Sequence, residues 1–406
     1  MRLDEVCESV SLTFRRQLEK VVLINTSDVL DGKVTNHTYV PNENLRGQFK
    51  KSFQRNDILF SEIRPKNRRF AFVTFDASDY VASTKLMVIR VNDKVIPEFL
   101  FQVLKSDEII NQLQLLAETR SGTFPQITFS ELAALDVRIP SIAEQCEIAT
   151  TLQALDNKIE CNSKINHHLE QIAQAIFKSW FVDFEPFGGV MPDDWREGTF
   201  SEVISTTLGG DWGKEAPTSN NTQEVYCIRG ADIPDVNVGN KGKMPIRFIL
   251  PKNYVSKRLA VGDIVVEISG GSPTQSTGRC ALITQSLLDR YDRGMVCTNF
   301  CRAIKPLNGY SAFVYFYWKY LYGQSVMFSY ENGTTGIKNF DITGFLENEP
   351  IIIPPVCVVT QFTEAVETFI DTIFANGLEN EGLSITRDTL LPRLMSGELS
   401  VTDIAK

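Results

Sequence analysis

The sequence predicts a mixed α/β protein in which two tandem globular domains alternate with two long helices that pair as an antiparallel coiled coil. Three observations lead to this prediction: a pattern that occurs twice, apolar residues spaced alternately by four and three, and short β-branched or aromatic runs. At 406 residues the chain is too long for one ordinary core. We place the first globular domain at residues 1–139, the first helical spacer at 140–190, the second globular domain at 191–353 and the second helical spacer at 354–406.

Both globular domains are predicted to combine strands with short helices. Runs rich in Val, Ile and Phe at 70–75, 86–91 and 264–268 are bounded by turn-forming residues, which is typical of strands. The segments 98–116 and 312–322 have the apolar content of helices that pack on a sheet. The aromatic residues of the second of these segments suit a buried helix better than a base-stacking surface.

The two spacers carry matching apolar seams. The first seam consists of Ile148, Leu152, Leu155, Ile159, Asn162, Asn166, Leu169, Ala173, Ile176 and Trp180. The second consists of Phe362, Val366, Phe369, Ile373, Asn376, Asn380, Leu383, Arg387, Leu390 and Leu394. Alternating spacings of four and three are those of a coiled coil, so each helix is expected to be the partner of the other.

The duplicated asparagines predict the register of this pair. Asn162 and Asn166 recur 214 residues later as Asn376 and Asn380, and an asparagine in such a seam fixes register at a cost in stability. The second globular domain lies between the two helices in the chain, so the helices should be antiparallel, with the globular domains at opposite ends and related by a pseudo-two-fold axis. The expected register places Asn162 opposite Asn380 and Asn166 opposite Asn376. Pairing between two copies of the chain is the alternative arrangement.

The second helix contains the weak points of this prediction. In the expected register Arg387 faces Leu155, so the arginine stem would have to snorkel past the seam. Gly377 and Gly382 both lower helix propensity, which predicts a break near them.

The duplication extends into the globular domains. Short strings recur in the same order, with an offset that drifts as expected when loops accept insertions. The matched strings are 24–29 with 228–233, 56–59 with 262–265, 83–86 with 297–300, and 137–140 with 351–354.

Charge is distributed unevenly along the chain. The net charge is −9, and residues 140–190 carry −4 while 354–406 carry −5. The two globular domains are therefore neutral as a pair, and the acidic total does not argue against nucleic-acid binding there.

The start of the chain lacks a signal-peptide pattern and no long apolar run occurs, so a cytoplasmic protein without membrane contact is expected. Three histidines and no Cys-x-x-Cys pair make a metal site unexpected.

The ends of the two helices resemble a known family. Residues 176–186, Ile-Phe-Lys-Ser-Trp-Phe-Val-Asp-Phe-Glu-Pro, resemble the central conserved region of the specificity subunit of type I restriction–modification systems. Residues 390–399, Leu-Leu-Pro-Arg-Leu-Met-Ser-Gly-Glu-Leu, are similar to the C-terminal tail of that subunit. The helix entry at 139–145 also fits the family, whereas Thr360 stands where a glutamate would be expected at the second entry.

This resemblance implies a function in recognition and assembly. It implies that each globular domain is a target recognition domain that reads one half of a bipartite, asymmetric site in double-stranded DNA. It also implies that the helices hold the unread spacer and recruit two DNA-methyltransferase (modification) subunits and the restriction/translocase subunits. S-adenosylmethionine, ATP and magnesium would then be bound by these partners, and this chain would carry no cofactor and would not be catalytic. No Asn-Pro-Pro-Tyr or Asp-Pro-Pro-Tyr string occurs, as expected for a chain that does not methylate DNA by itself.

Clusters of cationic and polar residues are the candidate DNA contacts. Lysine and arginine neutralise phosphates and can donate to guanine, although a solvated face is the ordinary explanation for a charge run. The cationic candidates are Arg46, Lys50, Lys51, Arg64, Lys66, Arg68 and Arg69 in the first domain and Arg229, Lys241, Lys243, Lys257 and Arg258 in the second. The candidates in glycine-bearing loops, where a plain turn is the alternative, are Thr123, Thr274, Gln275, Thr334, Thr335 and Lys338.

A different class of function remains open from the residues alone. Asp57 and Glu62 in one domain, and Asp263 and Glu267 in the other, resemble the paired carboxylates of a metal-dependent nuclease. The alternative function is therefore a self-contained, metal-dependent DNA endonuclease. The base expected two residues after the second acid is absent in both copies, where Arg64 and a serine stand instead.

Overall fold

The structure is a computed structural model that describes residues 1–43, 47–119, 125–272, 274–333 and 337–401. Two compact units make up the fold. Unit 1 comprises Met1–Asn157 and Leu383–Lys406, and unit 2 comprises Lys158–Gly382. Among the described residues, no helix is both long enough and apolar enough to cross a membrane.

Unit 1 contains a mixed α/β domain. Its strands are β1 (Cys7–Ser9), β2 (Lys20–Ile24), β3 (Val29–Leu30), β4 (Lys33–Val34), β5 (Tyr39–Pro41), β6 (Phe49–Lys51), β7 (Ile58–Ser61), β8 (Phe70–Phe72), β9 (Tyr80–Ser83) and β10 (Leu86–Val91). Its short helices are α1 (Pro97–Leu104), α2 (Asp107–Thr119) and α3 (Phe129–Ala133). One sheet has the antiparallel order β1-β10-β7-β8, and another has the order β5-β2-β9-β6 with β2 and β9 parallel. The single helix predicted over 98–116 is thus two helices.

The globular part of unit 2 repeats this plan with additional strands. Its strands are β11 (Arg196–Thr199), β12 (Ile204–Gly209), β13 (Gln223–Ile228), β14 (Ile246–Ile249), β15 (Ile264–Glu267), β16 (Ser269–Gly270), β17 (Cys280–Leu282), β18 (Met295–Cys297), β19 (Cys301–Pro306), β20 (Glu331–Asn332), β21 (Lys338–Phe340) and β22 (Pro350–Ile353). Its short helices are α5 (Ile233–Asn237), α6 (Pro251–Lys257), α7 (Gln285–Leu288), α8 (Ser311–Gly323) and α9 (Ile342–Asn348). The sheet β12-β19-β15-β17 corresponds to β1-β10-β7-β8, and the parallel pair β13–β18 corresponds to β2–β9.

Strand register corrects one of the matches drawn from the sequence. Ser61 pairs with Leu86 in unit 1, and Glu267 pairs with Cys301 at the corresponding place in unit 2. Leu86 therefore corresponds to Cys301, whereas the match of 83–86 with 297–300 aligned it with Phe300. The sequence match was wrong by one residue because the similar strings are short and a ladder, unlike a string, fixes the position of each side chain.

The two predicted long helices are present. They are α4 (Ile142–Phe181) and α10 (Val356–Ser396); α4 begins two residues after Pro140, and α10 begins directly after Pro354 and Pro355. The predicted break in the second helix is wrong, since α10 continues through Gly377 and Gly382. Gly377 has a packing role, because a side chain there would overlap the backbone of Gly239 in the globular part of the same unit.

Within unit 2 the helices pair in the predicted register. The amide Nδ2 of Asn162 donates to Oδ1 of Asn380 at 3.0 Å, and Nδ2 of Asn376 donates to Oδ1 of Asn166 at 2.8 Å. The later residue of the pair on α4, Asn166, meets the earlier residue on α10, Asn376. This part of the coiled coil is therefore antiparallel and forms within one chain. The Nδ2 group of Asn166 also donates to the carbonyl of Val238 at 3.0 Å, which ties the globular part of unit 2 to this layer.

Within unit 1 the polar seam residue Arg387 has a different environment from the one expected. Its guanidinium donates to Asp156 at 2.9 Å, and Asp156 also accepts hydrogen bonds from Gln102, at 3.1 Å, and from Lys105. Arg387 thus joins α4, α10 and α1 instead of snorkelling past Leu155. Burial alone would raise the pKa of Asp156, but the two cations outweigh it and hold that pKa below its ordinary value.

The predicted burial of the aromatic helix is confirmed. Phe313, Phe316 and Trp318 of α8 are almost fully buried, and they belong to a core cluster that also contains Phe177 of α4 and Phe362 of α10. Because aromatic side chains bury large areas, this cluster fixes the second domain firmly on its part of the coiled coil.

Candidate functional site

The cationic candidates of unit 1 differ in how accessible they are. Lys50, Arg64 and Lys66 are exposed. Arg64 and Arg68 flank a short 3-10 turn and have φ angles of 44° and 52°, so both side chains project from a tight, left-handed bend. Arg46 and Thr123 lie outside the described residues.

Three other cationic candidates of unit 1 are engaged within the protein. The ammonium group of Lys51 donates to the carbonyls of Thr84 and Leu86 at 3.1 and 2.8 Å, and burial lowers its pKa. Arg68 donates to two carboxylates and one carbonyl, and Arg69 donates to the carbonyl of Ser27. DNA contact by these side chains would require them to give up hydrogen bonds that hold the domain together.

Unit 2 shows the same division. Lys243 and Arg258 are exposed, whereas Arg229 makes a two-pronged ion pair with the buried Asp232. The remaining two lysines have partners in the same unit. Lys241 lies over the ring of Tyr291 at 5.0 Å, and Lys257 donates to the carbonyl of Gly210 at 2.9 Å.

The loop candidates of unit 2 are in part exposed. Thr274 and Gln275 are exposed, and their amides donate to the hydroxyl of Ser272, so this loop is a compact turn. Lys338 forms a 2.7 Å ion pair with Glu331. Thr334 and Thr335 lie outside the described residues.

The aspartates considered as nuclease residues have a structural role that is duplicated. Asp57 is buried and accepts two hydrogen bonds from Arg90, both at 2.8 Å. Asp263 is also buried and accepts a 2.7 Å hydrogen bond from Lys305. Each aspartate also caps the preceding turn, through the amide of the residue three positions earlier.

The glutamates of that proposed pair do not occupy equivalent positions. Strand register aligns Glu267 with Ser61, and Glu62 with Ile268. Glu267 is buried and is bound in two-pronged fashion by Arg279, whereas Glu62 lies beside Lys85. Among the described residues, no group of three or more His, Cys, Asp or Glu side chains is arranged to hold a metal ion. The endonuclease alternative therefore lacks a repeated carboxylate site.

Comparison with known proteins identifies the family. The chain is 31% identical over 455 aligned residues to the type I restriction enzyme HindI specificity subunit of Haemophilus influenzae, covering 98% of each chain. This chain belongs to the type I restriction–modification specificity subunits. Residues 1–171 match the family described as the type I restriction modification DNA specificity domain.

A further curated protein is similar to this specificity subunit in sequence, and a solved structure is similar to it in fold. The MjaIX specificity subunit of Methanocaldococcus jannaschii is 27% identical over 333 residues, covering 77% of this chain and 71% of that one. The crystal structure of the type I restriction–modification S subunit from M. genitalium has a similar fold, with a TM-score of 0.52 at 16% identity. That likeness covers 97% of this chain and 95% of the other.

Four residues of this specificity subunit were missed by the sequence reasoning although they occupy equivalent places in the two domains. Lys85 lies in the turn between β9 and β10, and Phe300 lies in the corresponding turn between β18 and β19. Gln126 lies beside Lys85 and bridges to Ile63, and Asn339 pairs with Ser269, the residue that corresponds to Ile63. No shared residue type marks these positions, so the ladder register was needed to find them.

Proposed function

We propose that this specificity subunit is non-catalytic and selects the DNA site on which a type I complex acts. Each globular domain reads one half of a bipartite, asymmetric site in double-stranded DNA. The helices set the unread spacer and recruit two modification subunits that methylate adenine at N6, together with the restriction/translocase subunits. S-adenosylmethionine, ATP and magnesium are bound by those partners.

The duplication of the globular domain is the observation that carries this proposal. The sheets β1-β10-β7-β8 and β12-β19-β15-β17 have the same strand order, and their central strands pair in the same register, so the two domains share one scaffold. The side chains exposed on that scaffold differ, as Lys85 and Phe300 illustrate. Two copies of one scaffold with different exposed side chains suit the reading of two different short sequences.

The distribution of charge supports separate surfaces for DNA and for protein partners. The chain's excess of acid lies in the two helical spacers, while exposed cations such as Lys66 and Lys243 lie in the globular domains. On the part of α4 in unit 2, Ile165 and Ile172 are 41% and 46% exposed and lie one heptad apart. An acidic helix with exposed apolar side chains suits a protein partner better than a phosphate backbone.

Selection from a random library of DNA duplexes tests this proposal. The full chain, co-purified with its modification subunits, is equilibrated with the library, and the bound duplexes are sequenced. We expect two short conserved blocks separated by a gap of constant length without base preference. A library that emerges without conserved blocks would refute the proposal.

A second arm of the experiment addresses the endonuclease alternative. The purified chain is incubated with DNA and magnesium in the absence of partners. We expect intact DNA, because the repeated aspartates are engaged by Arg90 and Lys305. Magnesium-dependent cleavage by the purified wild-type chain would contradict a non-catalytic role and favour the alternative.

A further inference from the structure

The two globular domains present corresponding turns, each of which connects a strand of one sheet to a strand of the next: β9 to β10, and β18 to β19. We define tip 1 by Lys85 and Gln126 and tip 2 by Phe300 and Asn339. The amide of Glu62 donates to the carbonyl of Lys85 at 3.1 Å, and the amide of Ile268 donates to the carbonyl of Phe300 at 2.9 Å. Since Glu62 and Ile268 follow corresponding strands, these hydrogen bonds place Lys85 and Phe300 at equivalent positions.

Backbone hydrogen bonds also show that the second residue of tip 1 is equivalent to the second residue of tip 2. The amide of Ile127 donates to the carbonyl of Glu62 at 2.8 Å, and the amide of Phe340 donates to the carbonyl of Ile268 at 2.9 Å. The residues before them, Gln126 and Asn339, therefore occupy matching places in the two domains.

Tip 1 offers hydrogen-bond donors. Lys85 has an exposed side chain, 51% accessible, and its ammonium lies 3.4 Å from Oε1 of Gln126. This contact uses the oxygen of the amide, so the groups that remain outward are the N–H donors of both side chains. Guanine is the base that presents two acceptors, N7 and O6, in the major groove.

Tip 2 offers an apolar ring and an amide donor on two residues that both bond to Ser269. Phe300 is 65% exposed, which is unusual for a large apolar side chain. The hydroxyl of Ser269 lies 2.6 Å from Oδ1 of Asn339, so the N–H donors of this amide remain. Thymine presents one acceptor, O4, next to its C5-methyl group.

Two lysines that the sequence had marked as DNA contacts support the tips, Lys51 directly at tip 1 and Lys257 through Gly210 at tip 2. Lys51 donates to the carbonyls on either side of Lys85. Lys257 donates to the carbonyl of Gly210, and Gly210 packs so closely against the carbonyl of Thr298 that a side chain there would overlap it. Both turns are thus braced by contacts to their backbone, which helps to hold the presented side chains in place for base reading.

We infer that tip 1 reads a guanine in one half-site and tip 2 reads a thymine in the other. The inference rests on the proposed function and adds the residues and the base chosen at one position of each half-site. Contact with bases is favoured over contact with phosphates, because the carboxylate of Glu62 lies 3.7 Å from the ammonium of Lys85 and would repel a phosphate. Phe300 has no charge to offer a phosphate at all.

Selection of duplexes with single variants of the full chain, in complex with its modification subunits, tests the inference. Lys85→Ala should abolish the preference for guanine at one position of one block, by roughly tenfold or more, and leave the other block unchanged. Phe300→Ala should abolish the preference for thymine at one position of the other block. Total binding to random DNA should change little in either variant.

Conservative variants and matched controls separate a reading role from a loss of structure. Lys85→Arg should keep the guanine preference, and Phe300→Leu should keep part of the thymine preference, because each retains the chemistry of the contact. Lys94→Ala and Leu307→Ala remove exposed side chains of the same two domains away from the tips and should leave both blocks unchanged.

The outcomes are distinguishable. Conserved blocks that are the same in wild type, Lys85→Ala and Phe300→Ala would overturn the assignment of the tips while leaving the proposed function in place. A uniform loss of preference over a whole block would also overturn it, since a single base contact cannot produce that pattern. A wild-type selection without blocks would overturn the proposed function itself, and the tips with it.

Discussion

Asp57 and Asp263 show how one buried carboxylate organises each globular domain. Each caps a turn before the central strand and binds a cation from the neighbouring strand, Arg90 or Lys305. The side chain of Asp57 is 1% exposed and that of Arg90 is 27% exposed. Loss of the carboxylate would leave a partly buried guanidinium without its charge partner.

Asp57→Asn is therefore expected to lower the free energy of unfolding of the first domain by about 2 kcal/mol or more. The shift of the urea unfolding midpoint of the full chain measures the effect. Asp93→Asn, at an exposed turn of the same domain, is the control and should shift the midpoint little. Equal midpoints for the two variants would refute the structural role of Asp57.

Asp156 predicts a dependence of stability on pH. Its pKa is held below the ordinary value of about 3.9 by Lys105 and Arg387. A carboxylate whose pKa is depressed by folding stabilises the protein above the unfolded pKa, and this contribution disappears as the pH falls through the folded pKa.

The difference in unfolding free energy between wild type and Asp156→Asn should thus be largest near neutral pH and should shrink below about pH 4. Chemical denaturation at several pH values measures it. A difference that grows as the pH falls would contradict the ion-pair network, because it would mean that the protonated carboxyl is the form that folding prefers.

Helix α10 contains two glycines in opposite environments. A side chain at Gly377 would overlap the carbonyl of Gly239, whereas nothing lies within 4 Å of a side chain added at Gly382. Glycine costs up to about 1 kcal/mol relative to alanine inside a helix, so its presence at Gly377 serves the close approach of the second domain to the helix.

Gly382→Ala is expected to stabilise the protein by about 0.5–1 kcal/mol through helix propensity. Gly377→Ala is expected to destabilise it by about 1–3 kcal/mol, because the added methyl group must push two backbones apart. Thermal unfolding of both variants shows whether each is more or less stable than the wild type. Stabilisation by Gly377→Ala would show that the second domain does not pack closely on α10.

The elements differ in how far the sequence could predict them. The seam of α4 and α10 was readable because a period of four and three depends on local spacing alone, and its asparagines fixed the register. The continuation of α10 through Gly377 could not be predicted from the sequence, because the helix there is supported by contacts with a loop that is distant in the chain. The ion pairs of Asp57 and Asp263 were mistaken for a candidate metal site because their partners are on other strands.

The candidate site was predicted only in outline. Lys66 and Lys51 were both named as candidate DNA contacts, but composition could not separate the exposed Lys66 from Lys51, whose ammonium group donates to backbone carbonyls. Lys85 and Phe300 were missed because equivalent positions in the two domains carry unlike residues. That difference is expected of domains that share a scaffold and read different bases.

For the whole molecule, exposed lysines of the globular domains should govern the dependence of DNA binding on salt. Lys66→Ala and Lys243→Ala should each weaken binding to all sequences and reduce the slope of log affinity against log salt concentration by about 0.9. Lys164→Ala, which removes an exposed lysine paired with Glu160 on α4, should leave the slope unchanged. Equal slopes for all three variants would refute phosphate contact by the globular domains.

The division of labour between two reading domains and one helical spacer can be measured in cells that carry the complete system. Methylated adenines are mapped across the genome, and the sequences around them are aligned. We predict two short blocks of defined sequence, unlike each other, at a constant separation without base preference. A single contiguous motif, or two blocks at variable separation, would contradict the assignment of one half-site to each domain.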